Sequence, residues 1–400
     1  MQERIIRHYV RFSVISGLGA SFTFGSYTLF LQSLGLSLFE INLVNGIFMS
    51  ARFLLEVPTG ALADLYGRKR SVLWGTAISA SGFLLYSRAG GFWSAVAAEL
   101  TVALGGALVS GALGALVFDS LRHRGWGESF RPVARRRLQA DLLARIAGAS
   151  AASVLVGKDD LSFVWLVAAA GSLLAGLYLW RTIAEDYFEF REQKGLGRFV
   201  GGIREGMAEA VKNRSILLVV GFTAVFNLAI QGLNMYWPIV FRDDFGLDNH
   251  YINAAMAVIS LMIYIGCRLS ERVARSAKSE RQALILPQLL TAVGIMLAAS
   301  DLGFYPVMFG FLAHELSRGM FEPIREAYLQ HRIGDSGKRA TILSFQAMTG
   351  TLGMAAGLLG SGLIAESYSI GYSWFCSGLV MLVAVIVFLF MKNGEDTVLE

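Results

Sequence analysis

Twelve long apolar runs divide this 400-residue chain, at about 11–34, 39–63, 71–88, 92–120, 138–157, 162–181, 215–241, 251–269, 282–300, 305–329, 341–366 and 370–391. A helix that crosses a bilayer needs about 20 mostly apolar residues, so twelve crossings occupy about 240 positions and leave short connections. None of the runs alternates polar with apolar as a barrel strand would. The composition agrees: 54% of residues are hydrophobic and 16% charged, where soluble chains carry about a quarter charged residues. A cytosolic enzyme is therefore excluded. Gly at 44 and Pro at 6 exclude a collagen-like or Pro-rich chain. Cys267 and Cys376 each sit in an apolar run and read as small packing residues, not as a disulfide or a metal cluster. The fold class that follows is an all-α membrane protein with 12 transmembrane helices.

The first run follows Arg4, Arg7 and Arg11, as a signal peptide would, but its length and its eleven successors favour an uncleaved first span. Between the sixth and seventh runs the polar residues of 182–214 recur at a helical period, which predicts a linker helix lying on the cytoplasmic membrane surface. The chain thus divides into a bundle at 1–181, the linker at 182–214 and a bundle at 215–400. Orientation comes from the basic residues, since loops on the cytoplasmic side are enriched in Lys and Arg. With both termini cytoplasmic, 28 of the 35 Lys and Arg lie inside; Arg88, Lys158 and Arg242 lie outside, and Arg52, Arg145, Arg318 and Arg325 fall within spans. The net charge of +5 is then an orientation signal and not a nucleic-acid patch. The halves also echo one another: SGALGALVFDSLRHR (110–124) matches SRGMFEPIREAYLQHR (317–332), with Leu121, His123 and Arg124 repeated 208 positions on as Leu329, His331 and Arg332. Copies in the same orientation are the parallel-repeat arrangement of one transporter class.

Between the second and third runs stands Gly60-Ala-Leu-Ala-Asp64-Leu-Tyr-Gly67-Arg68-Lys69-Arg70, preceded by Glu56-Val57-Pro58-Thr59. This resembles the loop signature of the major facilitator superfamily, and in general character the chain is similar to its twelve-helix bacterial, proton-coupled efflux members. The resemblance covers essentially the whole chain and implies two six-helix bundles, a location in the bacterial inner membrane and a monomer. Gly60 would let the second helix approach a neighbour, and Gly67 would turn the chain so that the basic triplet faces phosphates or acidic partners. By resemblance, Asp64 would lie at the N-terminus of the eleventh helix, where an anion suits the helix dipole. With Arg68 it would form a latch favouring the outward-facing state, to which Gly60, Gly67, Arg70, Asp119 and Arg145 would contribute. The chain departs from the family in places: GCRLSERVARS (266–276) keeps only Gly266, Glu271 and Arg272 of a second signature. AELTVALGG (98–106) and RIAGASAAS (145–153) stand where proton-driven drug exporters carry an Arg and a Gly-Pro pair.

An ionisable side chain at mid-helix costs about 2.5–3.5 kcal/mol on insertion scales, so each one calls for a partner or a function. In HELSRGMFEPIRE (314–326), Glu315, Arg318, Glu322 and Glu326 share a helix face, with Glu315 and Arg318 near the midplane. Arg52 and Glu56 form an expected i,i+4 pair, and Asn227, Gln231 and Asn234 recur on one face of the seventh helix. The resemblance places helices 1, 4, 7 and 10 around a central cavity, which adds Tyr27 and Glu99. The same groups could instead be structural: Arg52 with Glu56 and Glu315 with Arg318 as closed ion pairs, and Asp119, Asp141 and Arg145 as a network at the helix ends. His314 reads as a packing histidine.

Energy-coupling and enzymatic motifs fail on spacing. GDSGK (334–338) has Arg332 and Arg339 where a Walker loop needs Gly and Ser or Thr. His314-Glu315 is followed by Arg318 instead of a second zinc His, and GLGRFVGG (195–202) misses the dinucleotide spacing. The expectation is a non-enzymatic secondary transporter without a cofactor. It would move a small organic solute by alternating access, with protons as the coupling ion, and exporting. Glu56, Glu99 and Glu315 are the candidate proton carriers, because burial disfavours the charged form of a carboxyl. One alternative is an organic-anion carrier in which Arg52 and Arg318 clamp a carboxylate or phosphate. Another is a receptor or scaffold that uses the fold without transport.

Overall fold

The computed structural model describes residues 2–126, 130–156, 161–185, 213–333 and 339–390. Fourteen helices appear among them: α1 (Gln2–Phe24), α2 (Tyr27–Ser33), α3 (Leu38–Tyr66), α4 (Arg68–Tyr86), α5 (Phe92–Arg122), α6 (Phe130–Leu155), α7 (Phe163–Thr182), α8 (Arg214–Ala229), α9 (Gln231–Asp243), α10 (Asn249–Ser276), α11 (Glu280–Ala298), α12 (Phe304–Arg332), α13 (Arg339–Ser367) and α14 (Ile370–Phe390). Each expected apolar run is occupied by a helix or by a broken pair. Most of the expected linker helix at 182–214 lies outside the described residues.

Eight helical segments are long and apolar enough to cross a membrane, or nine if the bent pair α1 and α2 counts as one span. The runs that fall short are α4, α6 and α12. In α12 the cause is Glu315, Arg318, Glu322, Arg325 and Glu326; in α6 the arginines of its first two turns are followed by Gln139, Asp141 and Arg145 in the remaining stretch. The bend between α1 and α2 is 45° and falls at Gly25 and Ser26. Trp93, Val154, Leu302, Tyr305 and Phe390 are more than 70% exposed. Such a density of bare apolar side chains suits a hydrocarbon solvent and would be a liability in water.

The chain forms two compact units. The first comprises Met1–Leu36, Ile47–Leu196 and Phe241–Val258; the second comprises Ser37–Gly46, Gly197–Val240 and Ile259–Glu400. The start of α3 belongs to the second unit through buried polar contacts: Asn42 Nδ2 donates to the Leu358 carbonyl and to Ser361 Oγ, both at 2.9 Å. The Tyr236 hydroxyl donates to the Leu38 carbonyl at 2.9 Å. In the first unit, Asn253 of α10 is hydrogen bonded to Ser26, and Gln32 bridges Arg242 and Asp243, each at 2.8 Å.

Within each unit the third and fourth passes meet at glycines. In the first unit Gly75 of α4 faces Gly105 of α5; in the second Gly294 of α11 faces Gly310 of α12. A Cβ on any of these four would strike backbone of the facing helix. Small residues let helix backbones approach closely where lipid supplies no hydrophobic drive for association. In the glycine-rich stretch 350–362, Gly353 and Gly357 likewise abut the backbone of Ala224 and Leu228 on α8.

Candidate functional site

At the Arg-rich end of the first unit, Gly67 separates α3 from α4 with φ +98°, a left-handed conformation that glycine adopts without a Cβ clash. The turn sets Arg68 at the first position of α4. Its guanidinium forms an ion pair with Asp119 of α5, lies 3.5 Å from Asp64 and donates to the Ala115 carbonyl at 3.0 Å. Glu185, just beyond α7, accepts from the backbone N–H groups of Arg68 and Lys69, one on each carboxylate oxygen at 2.8 Å. Lys69 Nζ reaches back to the Trp180 carbonyl at 2.9 Å. Beneath the cluster lie the buried side chains of Ala63, Val72, Leu116 and Leu179.

The expected latch residues therefore divide. Arg68 gathers Asp64 and Asp119. Arg145 pairs with Asp141 on its own helix at 2.9 Å and lies over the Phe24 ring. Arg70 is exposed. A Cβ on Gly60 would itself meet nothing within 4 Å, but a Cβ on Gly111 of α5 would stand 3.7 Å from the Gly60 backbone, so the two glycines lie side by side. Glu185 went unnoticed in the sequence. Its only signal there was an acid placed four residues after an apolar run.

Deeper in the first unit, Glu99 of α5 is buried, and two hydroxyls reach its carboxyl: Tyr27 donates to Oε1 at 3.0 Å and Tyr86 donates to Oε2. Tyr86 ends α4 and stacks on Trp165 of α7, with centroids 4.0 Å apart and planes 9° apart. Trp165 in turn meets the edges of Tyr27 and Phe30. A hydrogen bond to a charged group contributes about 1.5–3 kcal/mol, so two of them are of the size needed to offset placing a carboxyl in a span. The structure brings together Tyr27 and Glu99, which resemblance alone had linked, and adds Tyr86 and Trp165, which no motif marked.

In the second unit Glu315 of α12 is 3% exposed and its carboxylate lies 2.8 Å from the Arg318 guanidinium one turn on. His314, fully buried, places Nε2 4.0 Å from Glu315, and neither ring nitrogen has a hydrogen-bond partner among the described residues. Across the α11 contact, Thr291 donates to Ser317 Oγ at 2.8 Å, and Ser317 donates to the Pro287 carbonyl. Gln288 is wholly buried beside them, its amide likewise without a partner. Glu322 and Glu326, expected on the same face as Glu315, are exposed.

Two expectations are corrected. Arg52 and Glu56 are both exposed and form no ion pair with each other; Arg52 lies over the Phe48 ring instead, 5.7 Å from its centroid. Glu56 is accordingly not a buried acid. Of the seventh-helix residues, Asn227 is buried and donates to the Gly350 carbonyl at 3.4 Å, while Gln231 donates to the Asn227 carbonyl at 2.8 Å. Both amide groups are thus occupied within the unit. Asn234 is half-buried on α9, beyond the break at Ile230.

Comparison with known proteins places this arrangement. Residues 12–286 match the family model described as Major Facilitator Superfamily. The chain is 26% identical over 369 residues to the multidrug resistance protein MdtH of Photorhabdus laumondii, covering 89% of this chain and 86% of that one. It is 26% identical over 368 residues to MdtH of Yersinia pestis, with the same coverage. Among solved structures, the nucleoside transporter NupG superposes with a TM-score of 0.78 over 96% of this chain and 98% of that one, at 13% identity. The twelve apolar runs, the glycine-faced helix pairs and the Asp64–Arg68 loop are therefore those of a multi-pass membrane transporter, and the chain belongs to the Major Facilitator Superfamily.

Proposed function

We propose that this transporter exports small organic solutes from the cytoplasm by alternating access, coupled to protons, as a monomer in a bacterial inner membrane. Support for export comes from the likeness to MdtH, a multidrug resistance protein, across 89% of the chain. The observation that carries proton coupling is the withdrawal of two acids from solvent within the spans: Glu99 held by two neutral hydroxyls and Glu315 held by Arg318. In this reading Glu315 takes up a proton and frees Arg318, and substrate binding favours the opposite exchange. Glu99 is the second proton-bearing group. The Arg68, Asp64 and Asp119 cluster acts as the latch at the cytoplasmic face.

The organic-anion reading is weaker, because it requires the Arg318 guanidinium that Glu315 occupies. The decisive experiment is flux into proteoliposomes under an imposed pH gradient. Glu315→Gln is expected to abolish gradient-driven accumulation while retaining part of substrate exchange, and Glu99→Gln to shift the pH dependence. Full gradient-driven accumulation in both variants would rule out these acids as the coupling groups. Asp64→Asn is expected to move the resting population toward the inward-facing state, read from the accessibility of periplasmic cysteine probes.

A further inference from the structure

In the second unit, an apolar groove of about 560 Å³ runs between α8 and α14. Leu217, Gly221 and Val225 form one wall, spaced as neighbours on a helix face; Val380, Val383 and Phe388 are among those forming the other. Its depth depends on Gly221, which has nothing within 4 Å of where a Cβ would stand. Phe388 closes one end, stacked on Phe222 with centroids 4.5 Å apart.

That same end carries two cations with no carboxylate partner among the described residues. Arg281 lies over the Phe388 ring, 5.3 Å from its centroid, and donates to the Phe388 carbonyl; its Nε is buried without a partner. Arg214 opens α8, one turn before Leu217 on the same face, and is exposed. Among the described residues neither guanidinium has a carboxylate partner, whereas the adjacent Glu280 and Arg332 satisfy one another at 3.2 Å. A hydrocarbon slot headed by two guanidiniums is complementary to one kind of molecule, an acyl chain bearing an anionic headgroup. Guanidinium forks bind phosphate in bidentate fashion, and basic pockets between spans select anionic headgroups.

We propose that this groove is a specific site for one anionic glycerophospholipid, its phosphate on Arg214 and Arg281 and one acyl chain along Gly221 between α8 and α14. The site is separate from the acids assigned to coupling, so it stands or falls independently of proton transport. It is tested by native mass spectrometry of the full-length protein in detergent, titrated in parallel with 1-palmitoyl-2-oleoyl phosphatidylglycerol, the phosphatidylcholine of the same chains, and oleate. Wild type is expected to retain one phosphatidylglycerol in preference to the other two. Arg214→Gln with Arg281→Gln is expected to weaken that retention by about thirtyfold, two basic contacts at a membrane surface. Gly221→Leu, which fills the slot from a position with open space, is expected to abolish it while leaving thermal unfolding unchanged. Equal retention of phosphatidylglycerol and phosphatidylcholine, preference for oleate, or undiminished phosphatidylglycerol in both variants would each overturn the proposal.

Discussion

The same joint is built twice in this molecule, with the charges reversed. In the first unit α4 begins beside the end of α5, and the ion pair there sets a cation, Arg68, on the first residue of α4 against an anion, Asp119, in the last turn of α5. In the second unit α11 begins beside the end of α12, where the anion, Glu280, opens α11 and the cation, Arg332, closes α12 with His331 beside it. A helix carries partial positive charge at its N-terminus and negative charge at its C-terminus. The second joint follows both dipoles and the first opposes both. The caps differ in the same sense. Ser279 caps α11 locally, its hydroxyl accepting from the Gln282 N–H at 3.2 Å. By contrast, α4 starts at a glycine and is capped by Glu185, more than a hundred residues away. One joint is self-sufficient, and the other is held by partners distant in sequence. The joint that can be released by moving one of those partners is the one that carries the family signature.

The largest separation between the joints is expected from removing one cation at each. Arg68→Ala removes the cation paired with Asp119, which is 24% exposed and sits in the last turn of α5, where the helix dipole disfavours an anion. A loss of about 2–3 kcal/mol is expected, the scale of a hydrogen bond to a charged group plus its desolvation. Arg332→Ala leaves Glu280 with His331 and a favourable helix N-terminus, and about 1 kcal/mol is expected. Thermal unfolding of both variants in the same detergent checks this, and equal losses would break the contrast. The caps come next. Glu185→Ala strips acceptors from two N–H groups of α4 and should cost about 1–2 kcal/mol, whereas Ser279→Ala should cost about 1 kcal/mol. Only Glu185→Ala is expected to change the protection of Arg68 and Lys69 amides against hydrogen exchange, since Ser279 bonds within its own helix end.

Most of the fold could be read from the chain because a bilayer permits few solutions: apolar runs of this length must be helices, and their number and the Asp64–Arg68 loop pointed to the family. The helix breaks at Gly25 and Ile230 were not visible, since both fall inside continuous apolar runs. For the site, spacing within one helix served well where partners lie one turn apart, as with Glu315 and Arg318. It failed for Arg52 and Glu56, which share a face yet point apart, because cation–π contact with Phe48 competes for the guanidinium. It could not find Tyr86, Trp165 or Glu185 at all, because their roles arise from contacts between helices far apart in the chain. Glycine function also escaped a pattern reading: a Cβ on Gly60 of the signature would point into open space, whereas one on the unremarked Gly105 would strike the α4 backbone. Gly60→Ala should therefore stabilise α3 by about 0.8–1 kcal/mol through helix propensity, and Gly105→Ala should destabilise the unit.

The smallest expected effect sharpens the contrast from the other side. His331 Nδ1 lies 2.7 Å from Glu280, yet the histidine side chain is 65% exposed and Arg332 already serves the same carboxylate. An exposed ion pair contributes about 0–1 kcal/mol, and a redundant one falls at the low end. His331→Ala is expected to change stability by less than about 0.5 kcal/mol in thermal unfolding, and Arg332→Ala with His331→Ala to cost more than the sum of the two single changes, because only the double variant takes both α12 partners from Glu280. A loss near zero even in the double variant would mean that the helix N-terminus alone satisfies Glu280. The second joint would then be held by its dipole rather than by its ion pairs, and the charge reversal between the joints would matter through the backbone more than through the side chains.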